Sequence, residues 1–519
     1  MWFWILLTLV ILIIYFGNQH YFSYWSKCKI PFKEPTFLFG ELWDMFASKK
    51  SQGQYFASLY EKYKHQKIVG LYFSYRPTLL VCDPDMIQEV MIKDFSSFHD
   101  RGFAFDEEYD PLTSNIFGLA GQRWRDLRVK LSPTFTSGKL KGMYPIVHNC
   151  GQVLQDYIEK EVKNGNDTFD THDLLGRFTT TVISSVAFGI DNDCINDREN
   201  IFRKMGMKIF DTNFAQVARI FLSTFLPELM LFLKIKNVSQ EIEHFIMSVV
   251  RQSIELREKE KIERKDFMQL MIQLKNQGFV SVDKDEDKED LPDDHSKISD
   301  RKKLTFNEIA GNTFIFFAAG FETSSSTSNL CLFELSRNPE IQKKVQDEID
   351  QAMKKTNSSE ITYDVLQELK YLDMCINETL RKYPVITVIL RKCTKDHTFA
   401  GTKYTIKKGT TLFIPVEGLH RDPKIYEKSL VFNPERFRDS PTGLGESKGT
   451  FYIPFGDGPR ICIGARMGKL QTKIGLAMML SKFSFELVDK KLNDNEFEVN
   501  PKLFVMTPKE RIIMRAIAR

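Results

Sequence analysis

The feature that most constrains this 519-residue chain is one segment near its C-terminus, Phe455-Gly-Asp-Gly-Pro-Arg-Ile-Cys-Ile-Gly464. Glycines at 456, 458 and 464 let the backbone turn tightly and approach a flat partner without side-chain clash. Helical periodicity is predicted from Ala465 to Leu480, so Cys462 sits just ahead of a helix start. The dipole and free amides of that helix would hold a thiolate there. The other cysteines (28, 82, 150, 194, 331, 375 and 393) are scattered, with no CxxC pair. That argues against a disulfide framework or a zinc site and for a reducing compartment, and each of the seven reads as a small buried apolar residue.

A second segment lies on the longest predicted helix, Leu304 to Ser336. Thr305 and Glu308 have the spacing of a capping box at its start. Residues 314 to 319 are apolar on every side, so the helix should be buried. Then follows Ala319-Gly320-Phe321-Glu322-Thr323-Ser324. A glycine inside a helix costs about 1 kcal/mol relative to alanine, and a buried carboxylate and hydroxyl add to that. On these residues alone, a kink with a back-bonded threonine and a functional groove are equally good readings.

Two further runs stand out. Glu378-Thr-Leu-Arg381 is an i, i+3 acid–arginine pair, common on helix surfaces, but Pro434-Glu-Arg436-Phe437 follows downstream. Trp124-Arg-Asp-Leu-Arg128 runs into Leu131-Ser-Pro-Thr-Phe-Thr-Ser-Gly-Lys-Leu-Lys141. Trp124 and Arg128 stand one helical turn apart and could reach one edge of a bound carboxylate group.

The 455–464 segment fills the pattern F-x-x-G-x-R-x-C-x-G, a match expected by chance on the order of once in ten thousand chains of this length. With the other three runs it resembles the cytochrome P-450 family over essentially the whole body. The Trp124 run is similar to the microsomal animal group that oxidises drugs, toxins and steroids, and the likeness points to an insect-like member. The resemblance implies haem b, with Cys462 as axial thiolate favouring O–O cleavage. It implies Arg460, Arg128, Trp124, Arg391 and Arg101 toward the propionates, and Phe455 of the cysteine loop as a further cofactor-binding residue. Glu322 and Thr323 would relay protons in an oxygen-binding groove that Gly320 leaves open. Glu378, Arg381 and Arg436 would form a buried network holding the cysteine loop, structural in role.

The expected fold is mainly α, multihelical, with a small β-rich lobe and an N-terminal membrane anchor helix. Residues 2–16 are apolar apart from Thr8. As a helix they span about 22 Å, short of the roughly 20 residues of a full crossing, with Trp2, Trp4, Tyr21, Tyr24 and Trp25 as interfacial belts. A cleaved signal peptide fits less well, for want of a basic start and a small-x-small site. Lys27, Lys29 and Lys33 place the body on the cytoplasmic side. The anchor is read as residues 1–20, a proline-containing linker as 21–53 and the catalytic domain as 54–519. A strand pair is predicted at Ile68 to Phe73 and Thr78 to Cys82 around Arg76-Pro77, another strand at Thr410 to Pro415, and a helix opening at Asn338-Pro339 with Glu340 paired to Lys344. Residues 281–303 read as a solvated loop. Residues 221–232 read as core or as a patch dipping into a bilayer.

With 72 basic and 68 acidic residues no global charge points to nucleic acid. The 43 phenylalanines fit a large core as well as an apolar pocket. Pocket candidates are Phe103, Phe105, Phe117, Phe314, Phe317, Ala318, Val385, Val388, Ile389, Phe504 and Val505. No nucleotide-binding glycine fingerprint follows a strand, so electrons must come from outside. The resemblance implies an NADPH-dependent flavoprotein reductase, with cytochrome b5 as a second partner, at the endoplasmic reticulum membrane. Arg123, Arg125, Lys130, Arg466, Lys469 and Lys473 are candidates for the docking face. The expected reaction inserts one oxygen atom of O₂ into apolar small molecules, whether xenobiotics, insecticides, steroids or other lipophilic compounds. An O₂-independent haem-thiolate isomerase or dehydratase and a non-catalytic haem sensor are the alternatives. Members of the former tend to lack the acid–threonine pair kept here as Glu322-Thr323.

Overall fold

The computed structural model describes residues 2–103, 105–280, 303–439 and 451–519; these are mainly helical, with small sheets. The chain divides into two compact units. One is Met1–Gly102 with Ile386–Leu430 and Ser447–Ile461; the other is Phe103–Val385 with Val431–Glu446 and Cys462–Arg519. All but Lys303 of the charged stretch 281–303 lies outside the described residues.

The first unit is built on a four-stranded sheet in the order Ile68–Phe73, Arg76–Val81, Thr411–Ile414, Ile389–Lys392. The first pair is antiparallel with Phe73 opposite Arg76. The turn therefore falls at Ser74-Tyr75 rather than at Arg76-Pro77, with Ser74 at φ 54°. Pro77 is tolerated inside the strand because the parallel pairing on its other side begins only at Thr78. Ile389–Lys392 closes the sheet antiparallel, with Arg391 opposite Leu412. That register fixes where the arginine leaves the backbone.

Trp2–Phe22 forms one helix with Trp2, Phe3, Trp4, Leu6, Ile13 and Phe16 exposed. Its apolar run ends at Phe16, and Asn18, Gln19 and His20 follow within the same helix. Among the described residues no helix is long and apolar enough to cross a membrane. The stretch read as a linker is folded onto the sheet. Trp25 is fully buried; its backbone N–H donates to the Tyr72 hydroxyl and its indole N–H to the Leu71 carbonyl, each at 2.9 Å. Tyr72 in turn donates to the carbonyl of Phe22 at 2.9 Å.

The second unit is organised around the helix Phe306–Arg337. The predicted capping box is present in both halves, Thr305 accepting from the Glu308 N–H and Glu308 from that of Thr305. This helix packs against Thr171–Ala187, Ala465–Lys482 and Lys370–Lys382. From Phe321 to Ser336 every residue except Thr323 is buried. Pro339–Lys355 opens with its proline in the first turn and buries Val345, Ile349 and Ala352. Lys344 stands 5.7 Å from the Tyr371 ring, while the ion pair on that helix joins Lys343 to Asp347 at 2.8 Å. An antiparallel sheet of Thr168–Asp170, Ile513–Ala518 and Phe483–Leu487 completes the unit. Residues 221–232 are broken where Pro227 starts a new helix; Phe225 and Met230 are buried, whereas Phe232 is exposed, as is Phe214 at the start of the preceding helix.

Candidate active site

In the second unit Cys462 lies ahead of Ala465–Lys482, with the Ala465 N–H pointing back to its carbonyl at 3.5 Å. Of the eight cysteines it alone is exposed; the other seven are buried or half-buried. Burial raises the thiols of Cys82, Cys150 and Cys331, each to about 12, which makes them poor thiolates. Arg128, on the helix Gly121–Leu131, is pulled below its ordinary range by burial and pushed back up by the Cys462 charge, so the two groups feel one another. Trp124, one turn earlier, is buried.

Ala319 is exposed and Gly320 and Thr323 half-buried, an open stripe on a stretch of the long helix that is otherwise buried from Phe317 to Ser336. The Thr323 hydroxyl donates to the Ala319 carbonyl at 2.6 Å, the back-bond of a mid-helix threonine. Gly320 has a packing reason: a Cβ there would lie 2.5 Å from Cδ1 of Ile183, so the glycine lets Thr171–Ala187 approach. Gln471, on the helix after Cys462, donates to the Gly320 carbonyl at 2.6 Å and also to the Ser324 hydroxyl.

Glu322 is buried toward Thr171–Ala187. His172 Nε2 lies 3.4 Å from its carboxylate, and the Ser326 hydroxyl donates to it at 3.5 Å. Burial alone would lift the Glu322 carboxyl, but His172 and Arg203 hold it below the usual range. Neither partner carries a sequence signal, since both are remote from Glu322 in the chain. Only the need of a buried carboxylate for a cation hints at them.

Glu378 and Arg381 have no exposed side-chain surface. Arg381 donates to Glu378 through Nε at 2.7 Å and Nη2 at 2.9 Å. Arg436 Nε adds a bond at 3.3 Å, and the Asn433 backbone N–H, which sequence reasoning missed, adds one at 2.9 Å. The carboxylate is thus met from the helix and from the Pro434–Phe437 turn.

The first unit carries the other arginines. Arg460 is buried, and its Nε donates to the His99 carbonyl at 2.7 Å. The preceding turn depends on Gly458, whose φ is 66° and whose Cβ would run into the Met91 carbonyl oxygen. Phe455 is half-buried in this loop. Arg391 is 1% exposed and its Nε has no hydrogen-bond partner among the described residues. Burial, then the charge of Arg101 beside it, pushes it down to about 9, against a small upward pull from Asp457. A buried guanidinium with an unpartnered Nε, under the like charge of half-buried Arg101, calls for an anion, and a carboxylate-bearing cofactor edge supplies one. The residues present therefore fit a propionate-bearing group.

The pocket candidates separate. The rings of Phe103 and Phe117 stack at 5.3 Å, and Arg123 lies 5.4 Å from the Phe105 ring. Phe317 is fully buried within an aromatic cluster of Phe188, Phe202 and Phe321. Phe314, Ala318, Val385, Val388 and Val505 are buried, while Ile389 and Phe504 are half-buried. Of the docking cations, Lys473 is buried against Asp373 at 2.8 Å, Lys469 donates to Asn377 at 2.6 Å and Arg123 to Glu107 at 2.6 Å. Arg125 and Arg466 are exposed and Lys130 is half-buried.

The family model described as cytochrome P-450 matches residues 30–515. Cytochrome P-450 6d3 of Musca domestica is 36% identical over 510 residues, covering 96% of each chain. Cytochrome P-450 6A1 of the same species is 36% identical over 516 residues, covering 98% of this chain and 96% of the relative. Cytochrome P-450 6a9 of Drosophila melanogaster is 38% identical over 470 residues, covering 90% and 89%. The chain belongs to the cytochrome P-450 family and is a haem-thiolate monooxygenase similar to insect members.

Proposed function

We propose that this monooxygenase works at the endoplasmic reticulum membrane with its body on the cytoplasmic side, taking electrons from NADPH through a flavoprotein reductase, with cytochrome b5 as a second donor. Its substrates are apolar small molecules. Haem, when bound, would supply the oxygen chemistry, by which one atom of O₂ enters the substrate and the other leaves as water. Cys462 would hold the haem through its thiolate. The observation carrying this is that, of eight cysteines, Cys462 alone is exposed, at a helix start and within the electrostatic reach of Arg128.

Arg128 and Trp124, with Arg101, Arg391 and Arg460, are the proposed propionate ligands, and Phe455 belongs to the cysteine loop. Glu378, Arg381 and Arg436 hold the turn at Pro434–Phe437. Glu322 and Thr323 move protons to the open stripe. Phe103, Phe105, Phe117, Phe314, Phe317, Ala318, Val388 and Phe504 are the proposed apolar pocket residues. The exposed apolar side chains of Trp2–Phe22 support residence in the bilayer, and Phe214 and Phe232 support a second contact with it.

The test is Cys462→Ser in microsomes carrying a reductase. The thiolate-type band of the reduced, CO-bound protein should vanish together with NADPH-dependent product; persistence of the band would assign the ligand elsewhere. Product formed by the wild type without NADPH or O₂ would favour an isomerase or dehydratase, and no product from any apolar substrate a sensor.

A further inference from the structure

The acid of the proton pair has a partner that nothing in the sequence motif requires. Glu322 is turned toward Thr171–Ala187, whose second residue is His172. The Nε2 of His172 is itself out of solvent, 3.4 Å from the carboxylate, yet 31% of the side chain is exposed. The exposure therefore belongs to the other atoms of the side chain. The imidazole bridges solvent and a carboxylate that is itself buried.

The surrounding charges keep this pair in place. Arg203, from Ile201–Ile209, faces Glu322 and His172, with its Nη2 on Asp173 at 3.2 Å. Gly176 clears its path, since a Cβ there would meet the guanidinium at 2.7 Å. Asp173 also takes Arg177 Nε at 3.1 Å, and Asp170, which faces His172, lies 3.4 Å from Arg511 Nε. Ser326 completes the set on the long helix.

We propose that His172 is the proton entry for Glu322, passing protons from solvent to the acid that serves Thr323. One proton leaves Nε2 of the imidazolium for a Glu322 oxygen, and the imidazole then regains one from solvent; no electron moves. Burial pulls the imidazole down, but the Glu322 carboxylate 3.4 Å from Nε2 outweighs this and Arg203, so His172 stays protonated to higher pH than a free histidine. The donor form is present below that raised value and is lost as pH rises through it.

This inference rests on the monooxygenase reading of Glu322 and Thr323. The experiment uses the full chain in membranes with reductase and a substrate that the wild type oxidises, comparing His172→Gln, Glu322→Gln and the double variant. Expected in His172→Gln are normal haem content and CO-bound spectrum, product per NADPH down about tenfold with peroxide rising, and loss of the wild-type fall in coupling with rising pH. The drop is smaller than the 10²–10⁴ of a general acid because water still reaches the site. The double variant should be no worse than Glu322→Gln. As a readout independent of turnover, the His172 resonance of ¹⁵N-histidine-labelled protein should titrate at higher pH in the wild type than in Glu322→Gln. An unchanged coupling profile, multiplying losses in the double variant, or a His172 titration indifferent to Glu322 would each overturn the proposal. So would loss of haem in both His172→Gln and His172→Asn. A wild type lacking the thiolate band or NADPH-dependent product would instead bring down the monooxygenase reading itself.

Discussion

Arg381→Ala probes the buried network most directly. It removes the bonds at 2.7 and 2.9 Å from a carboxylate with no solvent contact, leaving Arg436 at 3.3 Å and the Asn433 N–H at 2.9 Å. Breaking a buried pair from one side costs about 3–5 kcal/mol, because a charge stays buried without full compensation. At about 2.1 cal/mol/K per residue, a chain of this length unfolding as one loses on the order of 1 kcal/mol per degree, so the midpoint should drop by about 3–5 °C. Removing both charges as Glu378→Met with Arg381→Met should cost less than the single change, since no carboxylate is left stranded. Arg436, only partly buried, can turn to solvent. The assay is thermal unfolding followed by haem absorbance and by circular dichroism, alongside haem content after purification. A midpoint within one degree of wild type for Arg381→Ala, or a double variant losing the sum of the singles, would refute the reasoning.

Thr323→Ala removes a hydroxyl from the only residue not buried between Phe321 and Ser336. It should leave haem content and the substrate-induced spectral change intact, while product per NADPH falls and peroxide rises; loss of haem would make Thr323 structural, and unchanged coupling would point to Ser324. Asn166, Asn237, Asn357 and Asn377 all begin N-x-S/T sequons, and a cytoplasmic body leaves all four without glycan by mass spectrometry. Asn377 is no test of topology, being fully buried in its helix, so glycan on exposed Asn166 or Asn357 is the result that would overturn the orientation.

Local signals were the legible ones. The Thr305–Glu308 box, the strand at residues 411–414 and the helix opening at Pro339 need only neighbours in the chain, and they stand where the residues place them. The site was legible as motifs but not as contacts. Gly320 read as room for a ligand, and the folded chain adds a packing reason that the motif does not carry, since a Cβ there would meet Ile183 of another helix. Lys473 read as a surface cation because lysines usually are, but Asp373 draws it inward. His172, Arg203 and Gln471 could not be found because each acts on a partner that only folding brings near. Pro77 misled because a proline usually marks a turn, and only the register shows that its missing N–H costs no ladder bond on the sheet side.

The junction at Phe22 and Trp25 has a mechanical meaning. The helix Trp2–Phe22 ends in a carbonyl held by Tyr72, and three residues later Trp25 is pinned by two bonds to the same strand. A polypeptide fastened so soon after its apolar segment is a stalk rather than a leash. A bilayer that takes up the segment thereby sets the tilt of the whole first unit, and with it the surface offered to anything diffusing in the membrane plane. Encounter with the proposed membrane-bound electron donor would then be a search in two dimensions with one orientation already fixed, and a few glycines inserted between Phe22 and Trp25 would return that freedom to the unit.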